Sequence, residues 1–180
     1  QFTWTYDVLS PTVTIASTTA GVSDGSKTKD SSIDLTFTLS ESSTNFIASD
    51  ITVSNGTISN FSGSGTSYTA TFTPAADGAC TIDVLQNAFT DVATNGNTAS
   101  DQFNWEYDGT APTLSNVSLT SQNSSNDQYS TSYAKLGDTV TLTFTSSETI
   151  QTPTVTFTSG GSGINNSITG PTASGNNWTA

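Results

Sequence analysis

An internal repeat limits the fold of this chain more than any other feature of its sequence. Residues 1–12 read QFTWTYDVLSPT and residues 102–113 read QFNWEYDGTAPT, so Phe2, Trp4, Tyr6, Asp7 and Pro11 recur as Phe103, Trp105, Tyr107, Asp108 and Pro112, each 101 positions on. LTFTLSE at 35–41 recurs as LTFTSSE at 142–148, displaced by 107, and Tyr68-Thr69-Ala70 recurs as Trp178-Thr179-Ala180, displaced by 110. An offset that drifts while the matched stretches keep their pattern describes one domain of roughly 100 residues whose loops vary in length. The alignment predicts three pieces: residues 1–7 as the last strand of a preceding repeat, residues 8–108 as a complete repeat, and residues 109–180 as a second repeat, incomplete at its C-terminal end. With no initiator Met, the expectation is an excerpt of a longer natural chain.

Within the complete repeat, apolar residues alternate with Thr, Ser and Asp. Val13 and Ile15 share one face, as do Ile33, Leu35, Phe37 and Leu39; then come Ile51 and Val53; Ile58 and Phe61; Tyr68, Ala70 and Phe72; Cys80, Ile82 and Val84; and Phe103, Trp105 and Tyr107. Period-two alternation is the mark of a strand with one buried face. Asn55-Gly56 reads as a hairpin turn. About seven short strands at turn-punctuated spacing predict an all-β sandwich with antiparallel Greek-key sheets. Composition matters here because Val, Ile, Leu and Phe make up only about 19% of the chain, and the net charge is -12; that combination borders on disorder. About a third of the chain is Ser or Thr, however, and a Thr-rich strand needs apolar residues on one face only.

The same inventory narrows function. There is no His and one Cys, so Ser-His-Asp and Cys-His nucleophile systems, His-based zinc sites and CxxC motifs are excluded, and no enzymatic activity is expected. Three Lys against fifteen Asp and Glu argue against nucleic acid or an anionic membrane surface as partner. No apolar run reaches the roughly 18 residues of a membrane helix.

The succession SPTVTI, LTFTLSE, FIASDITVSNGTISNFSGSGTSYTATFTPAADGACTIDV, AFTDVATNGNTAS and FNWEYD resembles the bacterial immunoglobulin-like repeats of large secreted or surface-anchored proteins. YAKLGDTVTLTFTSSETI and NNWTA look like a sibling variety. The resemblance implies tandem immunoglobulin-like sandwiches acting as a non-catalytic spacer in a surface adhesin, biofilm-matrix protein or extracellular fibre. Its location would be extracellular or on the cell surface, and its partners would be neighbouring repeats, other copies in a fibre or cell-surface ligands. The alternatives are a carbohydrate- or cell-binding module and an accessory domain of a secreted enzyme.

In such a sandwich the linker before the first strand and the loops near 41–50 and 86–100 share one apex. Asp7, Glu41, Asp50, Asp91, Asn95 and Asn97 then become candidate calcium ligands, and Asp108 and Glu148 stand where Asp7 and Glu41 stood, with Asp24, Asp30 or Asp77 on the other side. Calcium takes roughly six to eight oxygen ligands, mostly carboxylates and carbonyls. Related adhesins use calcium at such junctions to stiffen the rod. Acidic loops also serve plain solubility. Lys27, Lys29 and Lys135 read as solvated lysines, Cys80 as a buried free thiol, and Trp4, Trp105 and Trp178 as core residues rather than a sugar-stacking platform. Six sequons, at Asn55, Asn60, Asn116, Asn123, Asn165 and Asn177, are close to what chance supplies in a chain this rich in Asn, Ser and Thr.

Overall fold

The structure is a computed structural model that describes residues 1–122, 134, 137–159, 162–163 and 168–180. Contacts divide the chain into two units, Gln1–Thr110 and Ala111–Ala180. The alternating stretches of the first unit become β1 (Val13–Ser17), β2 (Ser26–Thr28), β3 (Ile33–Ser43), β4 (Ile51–Ser54), β5 (Gly56–Pro74), β6 (Gly78–Val84) and β7 (Phe103–Tyr107). One sheet has the order β1-β3-β5 and the other β2-β7-β6-β4. Their inner faces meet in one core, to which Leu35, Phe37 and Phe72 contribute from the first sheet and Ile82, Val84 and Trp105 from the second. Removing each such side chain from water is worth about 1.5–3 kcal/mol. Half of every strand can therefore stay Thr, and the outer positions of β3 (Asp34, Thr36, Thr38) are exposed or half-buried.

Three details depart from the sequence expectation. Asn55 does adopt a left-handed conformation, with φ 51°, yet Asn55-Gly56 makes no hairpin. β4 pairs with β6 and β5 with β3, so the turn carries the chain from one sheet to the other. The two strands expected around Ile58 and Tyr68 form the single element β5, which folds back on itself. Ser59 Oγ donates to the Thr71 carbonyl (3.4 Å), Asn60 Nδ2 donates to Thr71 Oγ1 (3.3 Å), and a Cβ on Gly63 would lie 2.5 Å from Tyr68 Cα. Residues 66–74 form the returning arm beside β3, and residues 56–62 lie outside it. Finally, β2 was not legible as a strand and it pairs parallel with β7, so the sandwich is not wholly antiparallel.

The second unit contains β8 (Leu114–Ser121), β9 (Val140–Ser146), β10 (Thr158–Ser159), β11 (Ser162–Gly163), β12 (Thr172–Ser174) and β13 (Asn177–Thr179). Its main sheet has the order β12-β13-β9-β8. Pairings of the first unit reappear. Phe37 lies opposite Tyr68, and Phe144 lies opposite Trp178 with the rings stacked at 6.3 Å. The amide of Thr12 donates to Ser40 Oγ, and that of Thr113 donates to Ser147 Oγ, each at 2.9 Å. Phe37 and Phe144, Tyr68 and Trp178, and Thr12 and Thr113 thus occupy matching places in the two units.

Candidate functional site

Three segments meet where β1 begins. The chain ahead of β1, the stretch between β3 and β4, and the long connection between β6 and β7 are tied to one another by short polar contacts. The Thr98 amide donates to the Pro11 carbonyl (3.0 Å), and Asn45 exchanges hydrogen bonds with Thr90, the Thr90 amide donating to Asn45 Oδ1 at 3.0 Å. Beneath them Phe46 lies within ring contact of Phe37, Phe61, Tyr68 and Phe89 at centroid distances of 4.9–5.9 Å. Phe46 comes from one of these loops and Phe89 from another, so the aromatic cluster anchors both.

On that platform Asp7, Glu41 and Asp91 each bring one carboxylate oxygen into a group whose members all lie within 4.8 Å of one another. Asp7 lies on the segment before β1, Glu41 in β3, which extends further than its alternating core predicts, and Asp91 in the β6–β7 connection. Asp91 is only 5% exposed. The Asn95 amide donates to its Oδ1 and Asn95 Nδ2 to its Oδ2, both at 2.8 Å. Burial alone would raise its pKa, but the hydrogen bonds from the side chain and amide of Asn95 and from the amides of Ala93 and Thr94 hold it below the usual value. Glu41 is displaced the other way: desolvation first, then the charges of Asp7 and Asp91, push it up. Asn95 also donates through Nδ2 to the Asp7 carbonyl (3.3 Å), so it links two members of the group.

Most of the other predicted ligands use their side chains in contacts of their own. Asn97 is 1% exposed and staples its own loop: its Oδ1 accepts from the Phe89 amide (2.9 Å), and its Nδ2 donates to the carbonyls of Leu85 (2.8 Å) and Thr98 (2.7 Å). Asp50 lies outside the carboxylate group and accepts from the Ile47 amide (2.8 Å), closing a single 3-10 turn at Ala48–Asp50. Asp108 pairs with Lys27 at 3.0 Å. Glu148 is half-buried in the second unit, where its carbonyl accepts from Ser146 Oγ (2.6 Å). Asp24 accepts from the Asn104 amide (2.7 Å), Asp30 from Thr28 Oγ1 (2.6 Å), and Asp77 from the Gly109 amide (2.7 Å) and the Thr110 hydroxyl.

Among the remaining candidates, Cys80 is buried, and burial pushes its thiol up. Lys27 is half-exposed and bound by Glu106 and Asp108, a surface arrangement that the sequence did not reveal because β2 was not recognised. Trp105 and Trp178 are buried, as expected of core residues, whereas Trp4 is 81% exposed. Lys135, Asn123 and Asn165 lie outside the described residues.

Comparison with known proteins adds a family. The family model described as a bacterial Ig-like domain matches residues 7–107, a span that contains β1 to β7 and all three clustered carboxylates. No curated protein and no solved structure matches the chain.

Proposed function

Because the chain belongs to the bacterial Ig-like domain family, we propose that it serves as a non-catalytic spacer in a secreted or surface-anchored bacterial adhesin or extracellular fibre, with calcium holding the junction ahead of β1. Domains of this family are generally non-catalytic and commonly extracellular or surface-associated. The observation that carries the calcium reading is the convergence of Asp7, Glu41 and Asp91 from three separate segments. Three carboxylates held that close repel one another, and the charges of Asp7 and Asp91 add to the desolvation that raises the Glu41 pKa. Both salt bridges among the described residues use Lys27, with Glu106 and Asp108, so they leave this group uncompensated.

The donor set suits a hard divalent cation. Oxygen ligands, several of them charged, on segments that can adjust are what calcium takes, with water completing its shell. Asp7 sits on the segment leading into the repeat, whereas Glu41 and Asp91 belong to its body, so a shared ion fixes the one against the other. That is how a non-catalytic repeat would control reach and stiffness. Calorimetric titration of the 180-residue chain with calcium chloride tests the proposal. Saturable binding near one equivalent is expected, and Glu41→Gln should weaken it at least tenfold. Absence of heat at millimolar calcium would rule the calcium reading out.

A further inference from the structure

We propose that residues 1–7 are a β7-type strand whose aromatic face seats in another bacterial Ig-like sandwich, between that sandwich's β2- and β6-type strands, and that this sandwich lies N-terminal to it in the same polypeptide. The inference rests on packing and sequence register, and it holds whether or not calcium binds.

Three rings carry it. Within its own unit Phe2 is fully exposed, Trp4 is 81% and Tyr6 75% exposed, and the one ring contact among them is the edge-to-face pair of Trp4 and Tyr6 at 6.0 Å. Single exposed apolar residues need no explanation, but three large exposed rings on alternate positions of one short segment call for a partner. Gln1, Phe2, Trp4, Tyr6 and Asp7 are identical to Gln102, Phe103, Trp105, Tyr107 and Asp108, and there the structure shows what such a face packs against. In β7, Phe103 and Trp105 are 3% and 2% exposed. Trp105 lies edge-on to Phe72 at 6.0 Å, and its Nε1 donates to Thr28 Oγ1 at 3.2 Å. The backbone of β7 pairs antiparallel with β6 and parallel with β2.

The two differences fall where they do no harm. Thr3 and Thr5 replace Asn104 and Glu106, which are the outward, exposed positions of β7. Residues 1–7 therefore keep every buried side chain of a β7 strand and change only the solvent face. The slot in their own repeat is already filled by Phe103, Trp105 and Tyr107, so the receiving sandwich must be a different one.

Linker spacing places that sandwich in the same polypeptide. From Tyr107 the chain runs through residues 108–113 to β8 at Leu114, and from Tyr6 it runs through residues 7–12 to β1 at Val13, with Asp, Pro and Thr at the same steps in both. A strand that closes one repeat and leads straight into the next is thus already present once in this chain.

An extended chain tests this. Residues 8–101 are placed ahead of Gln1, so that 1–7 falls where 102–108 falls in the complete repeat. The expected result is an additional cooperative unfolding transition. Trp4→Ala should leave the Tm of the original 180-residue chain unchanged within about 1 °C, yet abolish the added transition or lower its Tm by about 10 °C or more. The proposal is overturned if the added residues remain unfolded, or if they fold with a Tm indifferent to Trp4→Ala. It is also overturned if sedimentation of the original chain shows a dimer that Trp4→Ala dissolves, since the receiving sandwich would then belong to a second copy.

Discussion

Asn97 and Glu41 show at the scale of single residues how differently two polar side chains at one apex behave. Asn97 was a candidate ligand on sequence grounds, since an Asn in an Asx-rich loop offers an oxygen. The buried backbone claims it instead, because the Phe89 amide and the Leu85 and Thr98 carbonyls have the Asn97 side chain as a partner that burial makes costly to remove. Asn97→Asp would turn an acceptor towards two carbonyls, and a loss of about 3 kcal/mol is expected in denaturant unfolding. Thr94, at φ 72°, is a β-branched residue in the left-handed region within the same loop. Thr94→Gly should relieve that conformation and gain up to about 1 kcal/mol in the same assay. Glu41 sets a pH dependence. Its folded pKa is raised above 4.5, so its contribution favours folding at low pH and is lost as pH rises from about 4.5 through the raised value. Asp91 is depressed below 3.8, and its contribution is present above 3.8 and lost as pH falls through the lowered value. Without calcium, Glu41→Gln is therefore expected to raise the Tm at pH 7 and to leave it nearly unchanged at pH 4. A fall at pH 7 would contradict mutual repulsion in the group.

Elements with a clean period were legible, and those specified by their neighbours were not. β1, β3, β6 and β7 announce themselves by alternation because each buries one face and presents Thr, Asn or Glu on the other. β2 is three residues of Ser, Lys and Thr with no apolar side chain, and it exists because the β7 edge offers backbone partners. Asn55-Gly56 was read as a hairpin because the dipeptide favours left-handed geometry, which Asn55 indeed adopts; whether the next strand turns back or crosses to the other sheet is decided by long-range pairing. Gly56 marks that crossing. A Cβ there would run into the Phe72 ring and lie 2.6 Å from the Thr73 carbonyl oxygen. Gly56→Ala is expected to cost about 1–3 kcal/mol, measured by chemical unfolding, although an Ala on a hairpin turn of open geometry would cost far less.

Across the whole molecule, the repeat was the legible quantity, and the site only in part. Offsets of 107 and 110 aligned residues that occupy corresponding positions in the two units. The 101 offset does so at Thr12 and Thr113, whose amides make the same hydrogen bond, whereas Trp4 and Trp105 both lie in the first unit, one exposed and one buried. Of the acidic and amide residues singled out, Asp7, Glu41 and Asp91 come together, with Asn95 bridging two of them. Sequence could place them near one apex but could not distinguish a side chain that faces the group from one spent on a loop amide, as Asp50 is. The net charge of -12 thus has at least one concentrated patch, the group that the proposed calcium would join. Differential scanning calorimetry of the 180-residue chain, with calcium and then with excess chelator, tests that role most directly. Calcium at about 100 times its Kd should stabilise by about 2.7 kcal/mol, which for a domain of this size is a Tm rise on the order of 10 °C, reversed by chelation and largely absent in Glu41→Gln. A Tm that stays the same in calcium and in chelator would contradict a calcium-held junction.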